Sequence, residues 1–194
     1  MRTIFFDVDT QIDFLYPAGA LYVPGAEQIV RNVGRLNHFA ASNGFPLISD
    51  TDAHSENDPE FHDWPAHCVA GTVGQAKPQA TLLDQRVVVS SKAGLDVWPA
   101  GAHQMLLEKQ SLDVFSNPRL PGLLESIGAE RFVVYGVVTE ICVRCAAWGL
   151  IRTGKRVELV MDAIRHLNEP DARAMMAEFE TAGGVLVTTG SILV

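Results

Sequence analysis

The chain is short of cysteine: only three of its 194 residues are Cys (Cys68, Cys142 and Cys145). So few, and odd in number, they exclude a disulfide framework and suit a reducing cytosol. Basic residues are scarce as well, 15 Lys and Arg against 23 Asp and Glu, for a formal net charge of −8. No Lys/Arg-rich face stands out, which argues against nucleic acid or an anionic membrane as partner. No apolar run approaches the length needed to span a bilayer. Residues 1–6, MRTIFF, lead straight into an acidic segment, so no secretory leader is expected and the expected location is cytoplasmic. Repeats, low-complexity tracts and linkers are missing too. One domain over residues 1–194 with a full core is expected.

What is present alternates between two kinds of pattern. Thr3–Val8, Pro46–Thr51, Arg86–Ser91, Phe132–Val138, Val157–Met161 and Val185–Thr189 are β-branched and nearly continuous in apolarity, the mark of strands covered on both faces. Between several of them lie helical stripes. Ala26–Ser42 puts Ile29, Val33, Leu36 and Ala40 on one side, and Leu120, Leu123, Leu124 and Ile127 form another. Asn168 is a good N-cap with Pro170 close behind, opening a helix that carries Ala172, Met175 and Phe179. The alternation predicts an α/β fold, three layers (α/β/α) around a mainly parallel sheet of about six strands. Ligands of such sheets collect outside the carboxyl ends of the strands.

Chemically capable residues fall at those ends. Cys142 sits where a strand run passes through Gly136 into a helix run; unpaired amides at a helix start favour thiolate and can hold an oxyanion. Asp7 and Asp9 close the first strand, where a carboxylate serves as a base or merely caps a turn. Asp-x-Asp there also resembles the opening of haloacid-dehalogenase-type phosphatases, but Gln11 and the lack of a later acidic pair depart from that pattern. The stretch from Asp52 to Cys68 holds His54, His62 and His67 among several carboxylates, a donor mix suited to Zn, Fe or Mn. Asp52 and His54 lead the candidate ligands, and Glu60 competes with His62 for a third place. Cys68 reads as a buried small residue and Lys109 as a solvated charge. Cys142 and Cys145 also form a CxxC, but it lies late in the chain for a thioredoxin-like site.

The order of these motifs resembles that of the isochorismatase-like cysteine hydrolases, and within them the nicotinamidase branch. Asp9-Thr10-Gln11-Ile12-Asp13-Phe14 matches a D-x-Q-x-D-F opening, and Pro17–Gly25 a P-G-G-x-L-x-V-P-G loop. Asp52-Ala53-His54 with Trp64–Thr72 is similar to the family's metal segment, and Gly136–Val143 to its nucleophile turn. The resemblance implies a catalytic triad of Asp9, Lys109 and Cys142, with Asp9 rather than Asp7 as the match. It implies a non-proline cis peptide between Val137 and Val138 that would aim the Val138 amide, beside that of Cys142, into an oxyanion hole. It also implies one divalent metal ion on Asp52, His54, Glu60 and His67, and a pocket lined by Phe14 and Trp64. The implied reaction is hydrolysis of a small aromatic carboxamide through a thioester, in a homo-oligomer. A relative acting on another C–N or vinyl-ether bond, and a non-catalytic binding protein, are the alternatives. Three departures stand out: Leu112 where an aromatic residue is usual, Glu140 where Asp is commoner, and the Lys92–Gln104 segment with Trp98.

Overall fold

The computed structural model describes residues 2–91 and 97–194. Its strands are β1 (Thr3–Val8), β2 (Leu47–Asp52), β3 (Arg86–Val89), β4 (Gln104–Lys109), β5 (Arg131–Val137), β6 (Arg156–Arg165) and β7 (Val185–Val187). All pair in parallel, in the order β3-β4-β2-β1-β5-β6-β7. The helices are α1 (Ile12–Leu15), α2 (Val30–Ser42), α3 (Leu120–Ile127), α4 (Arg144–Ile151), α5 (Glu169–Thr181) and α6 (Thr189–Ile192).

Side chains alternate across each strand, so the sheet has two cores. Phe5, Leu47, Val133 and Tyr135 face one way, onto Val33, Leu36 and Ala40 of α2 and Ile192 of α6. Ile4, Phe6, Ile48 and Val134 face the other, onto Leu123 of α3, Ala146 of α4 and Met175 and Phe179 of α5. Buried on both sides, β1 and β5 need no polar face, which is why they read as continuous apolar runs, whereas β3 is an edge strand with Val88 exposed. Asn168 caps α5 as expected, its side chain accepting the Asp171 amide.

The sequence expectation differs from the structure at several places; β3 and β7 end at Val89 and Val187, short of the expected Ser91 and Thr189, and Thr189 opens α6. The sheet has seven strands among the described residues, because Gln104–Lys109 is a strand that the sequence pattern did not reveal. The penultimate strand runs on to Arg165 rather than ending at Met161. The stripe over Ala26–Ser42 opens as a tight 3₁₀ turn, Ala26–Ile29, before α2 begins. In the Lys92–Gln104 segment, residues 92–96 lie outside the described residues. Trp98 there donates its indole N–H to the Ala102 carbonyl at 2.9 Å.

β1 is central: the chain moves from it toward β3 on one side and, from β5 onward, toward β7 on the other. That reversal opens a crevice at the carboxyl ends of β1 and β5, the place where this architecture binds ligands. Close approach there requires glycine. Gly136 has φ of 126°, and a Cβ on it would stand 2.0 Å from the Val8 carbonyl oxygen.

Candidate active site

Asp9 follows β1 directly, with φ of 47°. Its N–H donates to Asp50 Oδ1 at 2.8 Å, and its carbonyl accepts the Gln11 amide at 2.7 Å. Lys109 ends β4, in register with Asp52 at the end of β2. It is 0% exposed, the opposite of a solvated lysine. Its Nζ lies 2.9 Å from Asp9 Oδ2 and also bonds Asp52 Oδ1. Cys142 is buried in a wide turn, Thr139–Val143, that leads into α4. The Val138 carbonyl ties that turn, accepting the Ile141 and Val143 amides at 3.1 Å each. The Cys142 thiol and the Asp9 carboxylate are close enough for each to shift the titration of the other. Asp9, Lys109 and Cys142 therefore converge, and the Val137–Val138 peptide is cis. Asp7 is otherwise engaged: Thr10, Asn37 and Ser49 donate to it, and Lys77 Nζ stands 3.2 Å away.

A second group shares Asp52. His54, His67 and Asp52 are buried, with ligand atoms all within 4.8 Å of one another. Each imidazole places Nε2 3.7 Å from Asp52 Oδ2. That is too long for a hydrogen bond. Two donors each about 2.0–2.1 Å from one ion stand roughly 3–4 Å apart, so the spacing fits a shared metal. The other ring nitrogen of His67 is occupied in the way a ligating histidine requires, and that of His54 faces a carboxylate. His67 Nδ1 donates to the Pro65 carbonyl at 2.7 Å, and His54 Nδ1 is 3.2 Å from Asp58 Oδ2. Glu60 Oε1 lies 4.0 Å from His67 Nε2, at the rim of the group, whereas His62 is exposed. Cys68 stands apart as a buried, uncharged thiol, since burial pushes it up.

Neighbouring loops hold these pieces in place. Gln11 Nε2 donates to the Asp52 and Gln75 carbonyls, and its Oε1 accepts the Asp52 amide at 2.8 Å. Asp13 accepts the Ala20 and Cys68 amides. Gln11 and Asp13 thus tie the Asp9 loop to the histidine segment, which gives their place in one short motif a physical reason.

Burial dominates the electrostatics. It pushes the Asp9 carboxyl up, and the Asp52 charge adds to it; Lys109 opposes both, leaving Asp9 at about 6. Burial would raise Asp52 too, but Lys109, His54 and His67 outweigh it and hold that carboxyl well below the usual range. Burial works against the Lys109 ammonium, yet Asp52 and Asp9 keep it protonated. The Cys142 thiol is pushed well up by burial despite Lys109. Burial thus favours the thiol, in opposition to the amides near the helix start, which favour thiolate.

Above Cys142 lies a small cleft, walled by Phe14 and Trp64 as expected and also by Leu21, Leu112, Ile141 and Leu167. Leu21 lies in the Pro17–Gly25 loop motif but was not expected as a wall, and Leu167 carries no motif; both come from loops distant in the chain. Phe14 also packs on His67, with ring centroids 5.3 Å apart.

An α/β/α sheet that gathers a thiol, a carboxylate and a buried ammonium beside its switch point has the build of a hydrolase. The chain belongs to the isochorismatase family, whose model, described as an isochorismatase domain, matches residues 3–191. It is 27% identical to a nicotinamidase of Escherichia coli, over 93% of this chain and 92% of that protein. It is 26% identical to a nicotinamidase/pyrazinamidase of Mycobacterium tuberculosis, over 93% and 95%. Among solved structures it resembles a pyrazinamidase of Pyrococcus horikoshii in complex with zinc, with a TM-score of 0.80, 26% identity, and coverage of 97% of this chain and 99% of that one. Among the described residues no helix is long and apolar enough to cross a membrane.

Proposed function

We propose that this hydrolase cleaves a small, uncharged aromatic carboxamide, with nicotinamide as its type, to the acid and ammonia through a thioester on Cys142. The observation that carries this reading is the convergence of Asp9, Lys109 and Cys142 beneath an apolar cleft, beside the Asp52, His54 and His67 group. The nicotinamidase and pyrazinamidase relatives support the substrate class.

Asp9 takes the thiol proton as Cys142 Sγ attacks the carboxamide carbon, and the carbonyl electron pair moves to oxygen. The Val138 and Cys142 N–H groups receive that oxyanion. Asp9 returns the proton to the amide nitrogen, the C–N bond breaks and ammonia leaves. Water then gives a proton to Asp9 and attacks the thioester; the C–S bond breaks and the thiol is reformed. Lys109 stays protonated throughout and holds the Asp9 carboxylate in its charged form. A divalent ion, Zn, Fe or Mn, fits Asp52, His54 and His67 with Glu60 alongside, and as a Lewis acid it would orient a donor such as a ring nitrogen.

Ammonia release from nicotinamide tests the reading. Release is expected, with loss on treatment with a strong chelator and recovery on adding back Zn, Mn or Fe. Failure of every preparation to release ammonia would sink the proposed substrate.

The pH dependence follows from the base. Above about 6 Asp9 is a carboxylate and can accept the thiol proton; below it Asp9 is protonated and cannot. The rate with saturating amide is expected to fall about tenfold per pH unit below that point. A rate unchanged from pH 7 to pH 5 would remove Asp9 from the role of base.

A further inference from the structure

The cleft over Cys142 is tight. Its free volume is about 20 Å³, against about 490 Å³ in a groove that runs beside it toward α5. Cleft and groove share Trp64, Ile141 and Leu167 as walls. Of the cleft's apolar walls, Leu167 is the exposed one, 41% open to solvent, and it belongs to no helix or strand. One side chain fixes its position. Glu140 Oε1 accepts the Leu167 amide at 2.9 Å and the Asn168 amide at 2.6 Å. Glu140 stands in the turn that carries Cys142, so the partition is fastened directly to the nucleophile's own turn.

We propose that Leu167, held by Glu140, is the partition that sets how large a ring system can reach Cys142, with Glu140 acting as a positioning residue. This deepens the amidase reading by naming the size limit of its substrates. A glutamate reaches both amides from the turn; its two hydrogen bonds to consecutive N–H groups leave the Leu167 backbone little freedom to swing toward the groove. Truncating Leu167 joins the cleft to the groove and admits wider groups; removing the Glu140 carboxylate does the same by freeing the segment.

Alkylation of Cys142 tests this without assuming the natural substrate. Rates with iodoacetamide and with the wider N-phenyl iodoacetamide are compared by peptide mass spectrometry in the full chain, Leu167→Ala, Glu140→Ala and Glu140→Gln. The ratio of wide to small reagent is expected to rise about tenfold or more in Leu167→Ala and Glu140→Ala, the scale of a relieved steric contact in an apolar pocket. Glu140→Gln, which keeps an acceptor oxygen, is expected to stay near wild type. A general loosening of the fold would raise both reagents together and leave the ratio unchanged. Ratios within twofold of wild type in Leu167→Ala overturn the partition; an effect of Leu167→Ala without one of Glu140→Ala overturns the role of Glu140. Absence of nicotinamide hydrolysis bears on the proposed substrate alone, because the alkylation ratios still decide the partition.

Discussion

Cys142→Ala is expected to abolish ammonia release from nicotinamide while leaving the fold in place. In the proposed mechanism the thiol is the atom that attacks, and Asp9 beside it cannot supply a nucleophile of comparable strength. Removing a catalytic nucleophile costs on the order of 10⁴–10⁶ in rate, with only substrate positioning left behind. The structural cost is small. Cys142 is 6% exposed, and its replacement removes one sulfur from a packed turn whose backbone bonds at Val138 are untouched. About 1 kcal/mol is the expected loss, a shift of roughly 2–4 °C in melting temperature for a domain of this size. Ammonia release and a thermal melt on one preparation check both halves. Residual turnover above about a thousandth of wild type, in a folded variant, would move the chemistry away from Cys142; neither Cys145 nor Cys68 lines the cleft.

The second large effect belongs to Lys109. Lys109→Met keeps the length of the side chain and deletes its charge, which is 0% exposed and stands between Asp9 and Asp52. Two buried carboxylates then face each other without their cation. Breaking a buried pair in this way costs about 3–5 kcal/mol, so the melting temperature is expected to fall by about 10 °C. Activity suffers for a linked reason. Lys109 is what lowers the Asp9 carboxyl against burial and the Asp52 charge; without it Asp9 rises above 6 and is protonated where the enzyme works. The acid limb of the pH profile is expected to move upward and the rate at neutral pH to drop at least about a thousandfold. Adding Asp9→Asn to Lys109→Met should recover part of the lost stability, because one uncompensated carboxylate goes with it. Lys109→Met with an unshifted melt and an unshifted pH profile would show that the ammonium does neither job.

Lys109 also shows where sequence reading stops. Six strands were legible because burial on both faces leaves an apolar run in the inner ones and the edge strands β3 and β7 are rich in valine, and Cys142, Asp9 and the histidine segment fell at strand ends that the pattern located. Gln104–Lys109 was not legible as a strand. Its run, QMLLEK, is polar at both ends, and Gln104 is buried only because it bonds Ser49, Thr81 and Leu83. Such partners come from elsewhere in the chain and leave no local trace. The register that sets Lys109 opposite Asp52 is equally invisible, since the strands are joined through β3. A lysine looks solvated until its two carboxylates are placed. The burial of the Cys142 thiol is hidden for a related reason: its position near a helix start is local, while the packing that buries it is global. Leu167 and its tie to Glu140 lie in a connection with no periodic pattern to read.

The sheet order has a consequence for how the protein comes into being. Asp9, Asp52, Lys109 and the turn of Cys142 stand at the ends of β1, β2, β4 and β5, side by side in space and far apart along the chain. Contacts of such long separation form late and together in folding. A nascent chain ending after β4 would hold Asp9 and Lys109 but not Cys142. On the proposed mechanism, catalysis therefore waits on synthesis through β5 and the turn that follows it, and turnover reports that these four strands have come together.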